Sequence, residues 1–148
     1  MSLTLSDDER YMRIALEEAR YAGEANEVPI GAVIVCNGRI LSRAHNQTEQ
    51  LTDPTAHAEI LAITAATEAL GAKYLKGCTL YVTVEPCTMC AGALGWSQID
   101  RVVIGAPDDK RGFLRIAPSA LHPKTLITQG ILADESRTMM QSFFAKKR

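Results

Sequence analysis

The apolar positions of this chain alternate between helical spacing and short, nearly continuous extended runs. After Ser6-Asp7-Asp8-Glu9, a capping-box sequence, Met12, Ala15, Leu16, Ala19 and Ala22 recur at helical spacing, with Glu17, Glu18 and Arg20 off that stripe. The spacing predicts a helix that Gly23 stops. Val28-Pro29-Ile30-Gly31-Ala32-Val33-Ile34-Val35 is rich in β-branched residues and almost wholly apolar, as a strand buried on both faces requires. Pro29 is expected to begin it, where its missing N–H does least harm. Asn37-Gly38 marks a tight hairpin, with Arg39 to about Ala44 returning antiparallel.

Asp53-Pro54-Thr55 reads as the start of a second helix, an N-cap residue ahead of a first-turn proline. Ile60, Leu61, Ile63, Ala65, Ala66, Ala69 and Leu70 surround most of that helix, which is therefore expected to be largely buried and to end at Gly71. Thr79 to Val84 reads as the next strand, delivering Cys87 to a third helix that runs to about Leu94. Arg101 to Gly105 is a fourth strand, Thr125 to Thr128 a fifth, and Ala133 to Lys147 a final helix that packs through Met139, Met140, Phe143 and Phe144. There is no internal repeat and no low-complexity linker, so the 148 residues form one α/β domain.

Composition narrows the class only modestly. Hydrophobic content of 47% and charged content of 22% are those of an ordinary soluble globule. The polar, acidic start lacks the features of a signal peptide, and no apolar run reaches the length of a membrane span, so a cytoplasmic location with no membrane partner is expected. The net charge of −1 gives no global attraction to nucleic acid, so any RNA contact must rest on a local basic surface.

The candidate chemistry lies between residues 57 and 90. His57-Ala58-Glu59 followed by Pro86-Cys87-Thr88-Met89-Cys90 is H-x-E then P-C-x-x-C, the pattern of zinc nucleobase deaminases. Two thiolates and a neutral imidazole balance a zinc dication and leave a fourth tetrahedral position for water, as a catalytic site requires. Glu59 is two residues from His57, nearly opposite it on a regular helix, so a shared site must sit at the helix's N-terminal end. A carboxylate there, off the metal, can move protons between water, ring nitrogen and leaving amine. Both metal-bearing segments are thus expected at helix N-termini, where the dipole favours thiolate. The alternatives are a redox pair or a closed structural zinc site that recruits Cys36, Cys78, His45 or His122 as fourth ligand. With two of the four cysteines committed to metal, Cys36 and Cys78 are expected as buried thiols, a disulfide being less in keeping with the cytoplasm.

EVPIGAVIV, the His45-Asn46 pair, DPTAHAEI, LYVTVEPCTMCAGA, RVVIGA, GILADE and the closing Phe143-Phe144 together resemble the bacterial tRNA-specific adenosine deaminases, within the cytidine deaminase-like superfamily. The resemblance implies a three-layer α/β/α sandwich around a mixed five-stranded sheet, a homodimer, and one zinc ion per subunit. It implies hydrolysis of adenosine to inosine at the wobble position of a tRNA anticodon loop. His57, Cys87 and Cys90 match the family's zinc ligands and Glu59 its proton shuttle. Asn46 matches a residue that hydrogen-bonds the flipped base, a task suited to an amide; it could equally be a turn residue closing the second strand. By the same resemblance the Ala58 N–H contacts the base, the Pro86 carbonyl the departing amine, and Val28 and Pro29 wall the pocket.

The likeness weakens over residues 106–124, where Asp108-Asp109-Lys110-Arg111-Gly112-Phe113-Leu114-Arg115 replaces smaller, glycine-rich residues. Phe113 could stack on a base or anchor the loop in the core. Lys110, Arg111, Arg115 and the closing Lys146-Lys147-Arg148 are candidate phosphate contacts, or plain solvated surface. Two further readings stay open: a deaminase of a free base or nucleoside of guanine or cytosine type, and a non-catalytic zinc-stabilised interaction domain.

Overall fold

The computed structural model describes residues 4–147, with side chains from Asp7 onward. Its elements follow in the order α1 (Thr4–Glu24), β1 (Gly31–Cys36), β2 (Arg39–His45), α2 (Ala58–Leu70), β3 (Cys78–Val84), α3 (Thr88–Ser97), β4 (Arg101–Ala106), α4 (Phe113–Ile116), β5 (Leu126–Gln129) and α5 (Ala133–Ala145). The strands form one sheet in the order β2-β1-β3-β4-β5. β1 runs antiparallel to both β2 and β3, whereas β3, β4 and β5 are mutually parallel. The hairpin follows from its turn: Asn37 and Gly38 both take positive φ, 51° and 76°, whose twist matches the flanking strands. The parallel half needs crossovers, and α3 supplies the one between β3 and β4.

The period of two along each strand divides the core between two faces. Ala32, Ile34, Leu80, Val82, Val102 and Ile104 point one way and pack with Ala58, Ala62 and Ala66 of α2 and Ala91 and Leu94 of α3. Val33, Val35, Tyr81 and Val103 point the other way and meet Tyr11, Met12 and Ala15 of α1, with Ile131 and Leu132 leading into α5. The result is the expected three-layer sandwich around a mixed sheet. α1 approaches β1 so closely that a Cβ at Gly31 would collide with the Ala15 carbonyl. Buried Asp8 fastens the same helix to the sheet, accepting from both Nη atoms of Arg101 at 2.9 and 2.7 Å and from the Tyr81 hydroxyl at 2.9 Å. No helix of the described residues is long and apolar enough to cross a membrane.

Five local expectations are corrected. Strand pairing begins at Gly31, not at Pro29; the chain turns at Val28–Ile30, where the Ile30 N–H reaches the Val28 carbonyl at 2.8 Å. The second helix starts at Ala58, not near Asp53, because the Asp53 carboxylate caps a turn, accepting from both the N–H and the hydroxyl of Thr55 at 2.8 Å. That helix is buried on one side only: Leu70 is exposed, as are Tyr74 and Trp96 on neighbouring chain. The first helix begins at Thr4, ahead of Ser6, and the capping contacts expected of the Ser6 side chain lie outside the described residues. α3 runs on to Ser97, and Cys36 and Cys78 are free thiols opposite each other across β1 and β3.

Candidate active site

α2 and α3 both begin at a residue with metal-binding chemistry. His57 is the N-cap of α2 (φ −75°, ψ 153°) and Cys87 the N-cap of α3 (φ −74°, ψ 174°). Their carbonyls accept the first helical hydrogen bonds, from Leu61 N at 3.1 Å and Ala91 N at 2.9 Å. Neither side chain caps its own helix, which leaves the imidazole and the thiol to face the space between the two N-termini. Cys90 joins them from the first turn of α3. His57 Nδ1 stands 3.7 Å from Cys87 Sγ and 3.4 Å from Cys90 Sγ, and the three donor atoms lie within 4.8 Å of one another.

These distances can be tested against an ion. Tetrahedral zinc with Zn–S of about 2.3 Å and Zn–N of about 2.0 Å sets its sulfur and nitrogen donors roughly 3.5 to 3.8 Å apart. The three side chains fit that set. Among the described residues no fourth Cys, His, Asp or Glu joins the group. His45 Nδ1 is 3.0 Å from Glu18 Oε1, His122 accepts from Lys124 N, and Cys36 and Cys78 belong to the sheet. The closed four-ligand arrangement is therefore absent from this structure's described residues.

The charges are arranged for ionic chemistry. Hydrogen bonding from Cys90, aided by the backbone N–H groups of Cys90 and Met89, draws the Cys87 thiol down to about 5. The same hydrogen bond, with burial, pushes the Cys90 thiol up. Glu59, in the first turn of α2, is fully buried, and burial raises its carboxyl to about 7; its own N–H partly opposes this and the neighbouring Cys87 adds to it. A carboxyl so poised can take up and release a proton near neutrality.

Of the other residues singled out in the sequence, Asn46, Val28 and His57 line one cavity of about 540 Å³ with Thr48, Glu49, Thr52, Asp53 and Pro54. Asn46 is buried, and its Oδ1 has no hydrogen-bond partner, an acceptor suited to a donor on a ligand. Pro29 lines a neighbouring groove of about 690 Å³ between α1 and α5 instead. Ala58 is the first residue of α2, so its N–H is one of the helix's orphan donors. The Pro86 carbonyl accepts from Phe113 N at 3.0 Å, with one lone pair left.

Phe113 is fully buried in the core beneath this loop and presents no face for stacking. Lys110, Arg111, Arg115, Lys146 and Lys147 are exposed, Lys147 Nζ lying 3.0 Å from Asn26 Oδ1; Arg148 lies outside the described residues. Two buried carboxylates escaped the sequence reading. Glu85 accepts from Asp108 N at 3.1 Å and Leu114 N at 3.0 Å, stapling the 108–114 loop beside the Cys87 turn, where Cys87 bridges to Gly112. A Cβ at Gly112 would strike that carboxylate. Glu27 holds the turn at residues 48–50.

Residues 5–106 match the family model for the cytidine and deoxycytidylate deaminase zinc-binding region. A tRNA-specific adenosine deaminase of Agrobacterium fabrum is 44% identical over 149 aligned positions, spanning 97% of this chain and 98% of the relative. A solved structure from work on A-to-I editing by tRNA:A34 deaminases at the wobble position superposes with a TM-score of 0.82 at 46% identity, covering 88% of this chain and 98% of that one. A guanine deaminase from Nitrosomonas europaea superposes with a TM-score of 0.79 at 26% identity, covering 93% and 84%. The chain belongs to the cytidine and deoxycytidylate deaminase zinc-binding family, in the branch of the tRNA-specific adenosine deaminases.

Proposed function

We propose that this chain is a hydrolytic deaminase that converts adenosine to inosine at the wobble position of a tRNA anticodon loop, acting in the cytoplasm as a homodimer with one zinc ion per subunit. The observation that carries the reading is the three-donor cluster of His57, Cys87 and Cys90 with the buried Glu59 beside it. Near full-length likeness to tRNA-specific adenosine deaminases supports the substrate.

His57, Cys87 and Cys90 would hold the ion. When bound there, zinc supplies a Lewis-acidic fourth position that acidifies water to a pKa of about 7. Glu59 takes a proton from the attacking water as oxygen bonds to C6 of the purine, and passes it to the ring. It then takes the remaining proton from the hydroxyl added at C6 and delivers it to the exocyclic amine as the C6–N6 bond breaks, so that adenosine and water give inosine and ammonia. The Asn46 amide hydrogen-bonds the extruded base, the Ala58 N–H contacts it, and the free lone pair of the Pro86 carbonyl receives the departing amine. Val28 walls the base on one side.

The dimer reading rests on the outer face of α2 and α3. Trp96 is 85% exposed there, beside a hollow it lines with Ile63, Ala93 and Tyr74. An isolated tryptophan that open to solvent suits a protein–protein contact.

A second reading, a deaminase of a free base, is favoured by the fold likeness to a guanine deaminase and by a net charge of −1. Incubation of the zinc-loaded protein with an anticodon stem-loop carrying wobble adenosine, and separately with free guanine and cytosine, distinguishes them. Inosine in the stem-loop is expected. Turnover of a free base alone would transfer the assignment to the second reading, and no turnover on any substrate to a zinc-stabilised interaction domain.

A further inference from the structure

We propose that Glu27 is a positioning residue for the base pocket: its carboxylate ties the 48–50 turn to the segment entering Val28 and Pro29, setting the separation of the cavity's two walls. The proposal rests on the reading of the cavity beside His57 as the place where substrate sits.

Glu27 is 1% exposed, and no cation pairs with it among the described residues. Its main chain is anchored to the end of α1, Glu27 N donating to the Ala22 carbonyl at 2.9 Å. Its carboxylate reaches the other way. Oε1 accepts from Thr48 Oγ1 at 3.3 Å and Glu49 N at 3.1 Å, and Oε2 accepts from Gln50 N at 2.7 Å.

A buried carboxylate without a counter-ion is tolerable only while hydrogen bonds satisfy it. The turn therefore cannot move off without leaving the buried carboxyl oxygens unsatisfied. It is also closed on itself, with Leu51 N on the Gln47 carbonyl at 2.9 Å and Asp53 N on the Thr48 carbonyl at 3.0 Å, so it shifts as a unit. That unit carries Thr48, Glu49, Thr52 and Asp53 of the cavity wall, and it lies in sequence between Asn46 and His57. Val28, which lines the same cavity, follows Glu27 directly. Glu27 touches neither the metal donors nor Glu59, so it acts on how the base is held and not on proton transfer.

The test compares Glu27→Ala, Glu27→Gln and Thr48→Ala with the unaltered zinc-loaded protein in two measurements. The first is hydrogen exchange of the protein alone. Exchange at Glu49 and Gln50 is expected to accelerate by about tenfold or more in Glu27→Ala, less in Glu27→Gln, which keeps one acceptor oxygen, and least in Thr48→Ala. The second is steady-state kinetics on the stem-loop. KM is expected to rise about tenfold in Glu27→Ala with kcat within roughly threefold and full zinc content, and Glu27→Gln is expected to recover part of the loss. Unchanged exchange at residues 49 and 50, a fall in kcat with KM unmoved, or loss of zinc would each overturn the proposal. Should Glu27→Ala fail to fold, the glutamine and Thr48→Ala variants carry both measurements. An unaltered protein that ignores the stem-loop would count against the tRNA reading, and the exchange measurement would still decide the role of Glu27.

Discussion

The sulfur of Cys90 lies 3.4 Å from Nδ1 of His57, although 33 positions of sequence separate them. Two helices packed on the same face of the sheet bring them together, each starting where a strand or turn ends. The packing of Ala58, Ala62 and Ala91 beneath them thus fixes where the metal donors sit relative to one another.

Zinc is expected to add stability because three donors from two helix ends share it. Cys87→Ser should lower zinc content and melting temperature together, and the increment that zinc gives the unaltered protein, about 3 to 4 kcal/mol at metal concentrations of 100 to 1,000 times Kd, should shrink. Elemental analysis and thermal melts with and without chelator check this; normal zinc occupancy in the variant would contradict it.

Glu59→Ala should keep its zinc and lose turnover by roughly 10² to 10⁴. Loss of the metal in that variant would instead make Glu59 a ligand.

Metal-free protein carries a pH signature of the same residue. The folded-state carboxyl is raised from its ordinary value of 4.5 to about 7. Between those values the folded chain holds a proton that the unfolded chain has lost, so stability falls as pH rises. The penalty is absent below 4.5, grows through the window and is complete above 7, where it amounts to about 3 kcal/mol. Chemical denaturation of the metal-free protein at pH 4 and pH 8 should show Glu59→Gln gaining on the unaltered chain only at the higher pH. An equal effect at both would refute the assignment.

Asp8→Ala should destabilise the fold by about 3 to 5 kcal/mol, because it strands the partly buried Arg101 and the Tyr81 hydroxyl against the sheet. Denaturant melts measure it. A change below about 1 kcal/mol would place Asp8 among ordinary surface pairs.

The proposed homodimer should sediment as such for the unaltered chain and as monomer for Trp96→Glu, with secondary structure unaltered; an unaltered chain that is monomeric would refute the dimer itself. A variant that still sediments as the dimer would remove the α2–α3 face from the interface.

Much of this was legible in the chain itself, and the reasons are local. Asn37-Gly38 can adopt two successive positive φ angles, so the hairpin follows from two residues. The offset of Glu59 from His57 forced the site to a helix end, which is where His57 sits as an N-cap. Asp53 misled because the same carboxylate that caps helices also closes a turn, and Pro54 is at home in either. The run from Val28 read as strand because apolar pattern does not reveal where pairing starts. Glu27 and Glu85 gave no usable pattern: each satisfies amides more than 20 residues away, and nothing in the neighbouring sequence announces a buried carboxylate.

β3 accepts an antiparallel neighbour on one side and a parallel one on the other. The parallel side obliges the chain to climb back over the sheet, and α3 must therefore open beside the tip of β3. A chain that keeps this strand order therefore keeps the start of α3, with Cys87 and Cys90, just beyond the end of β3.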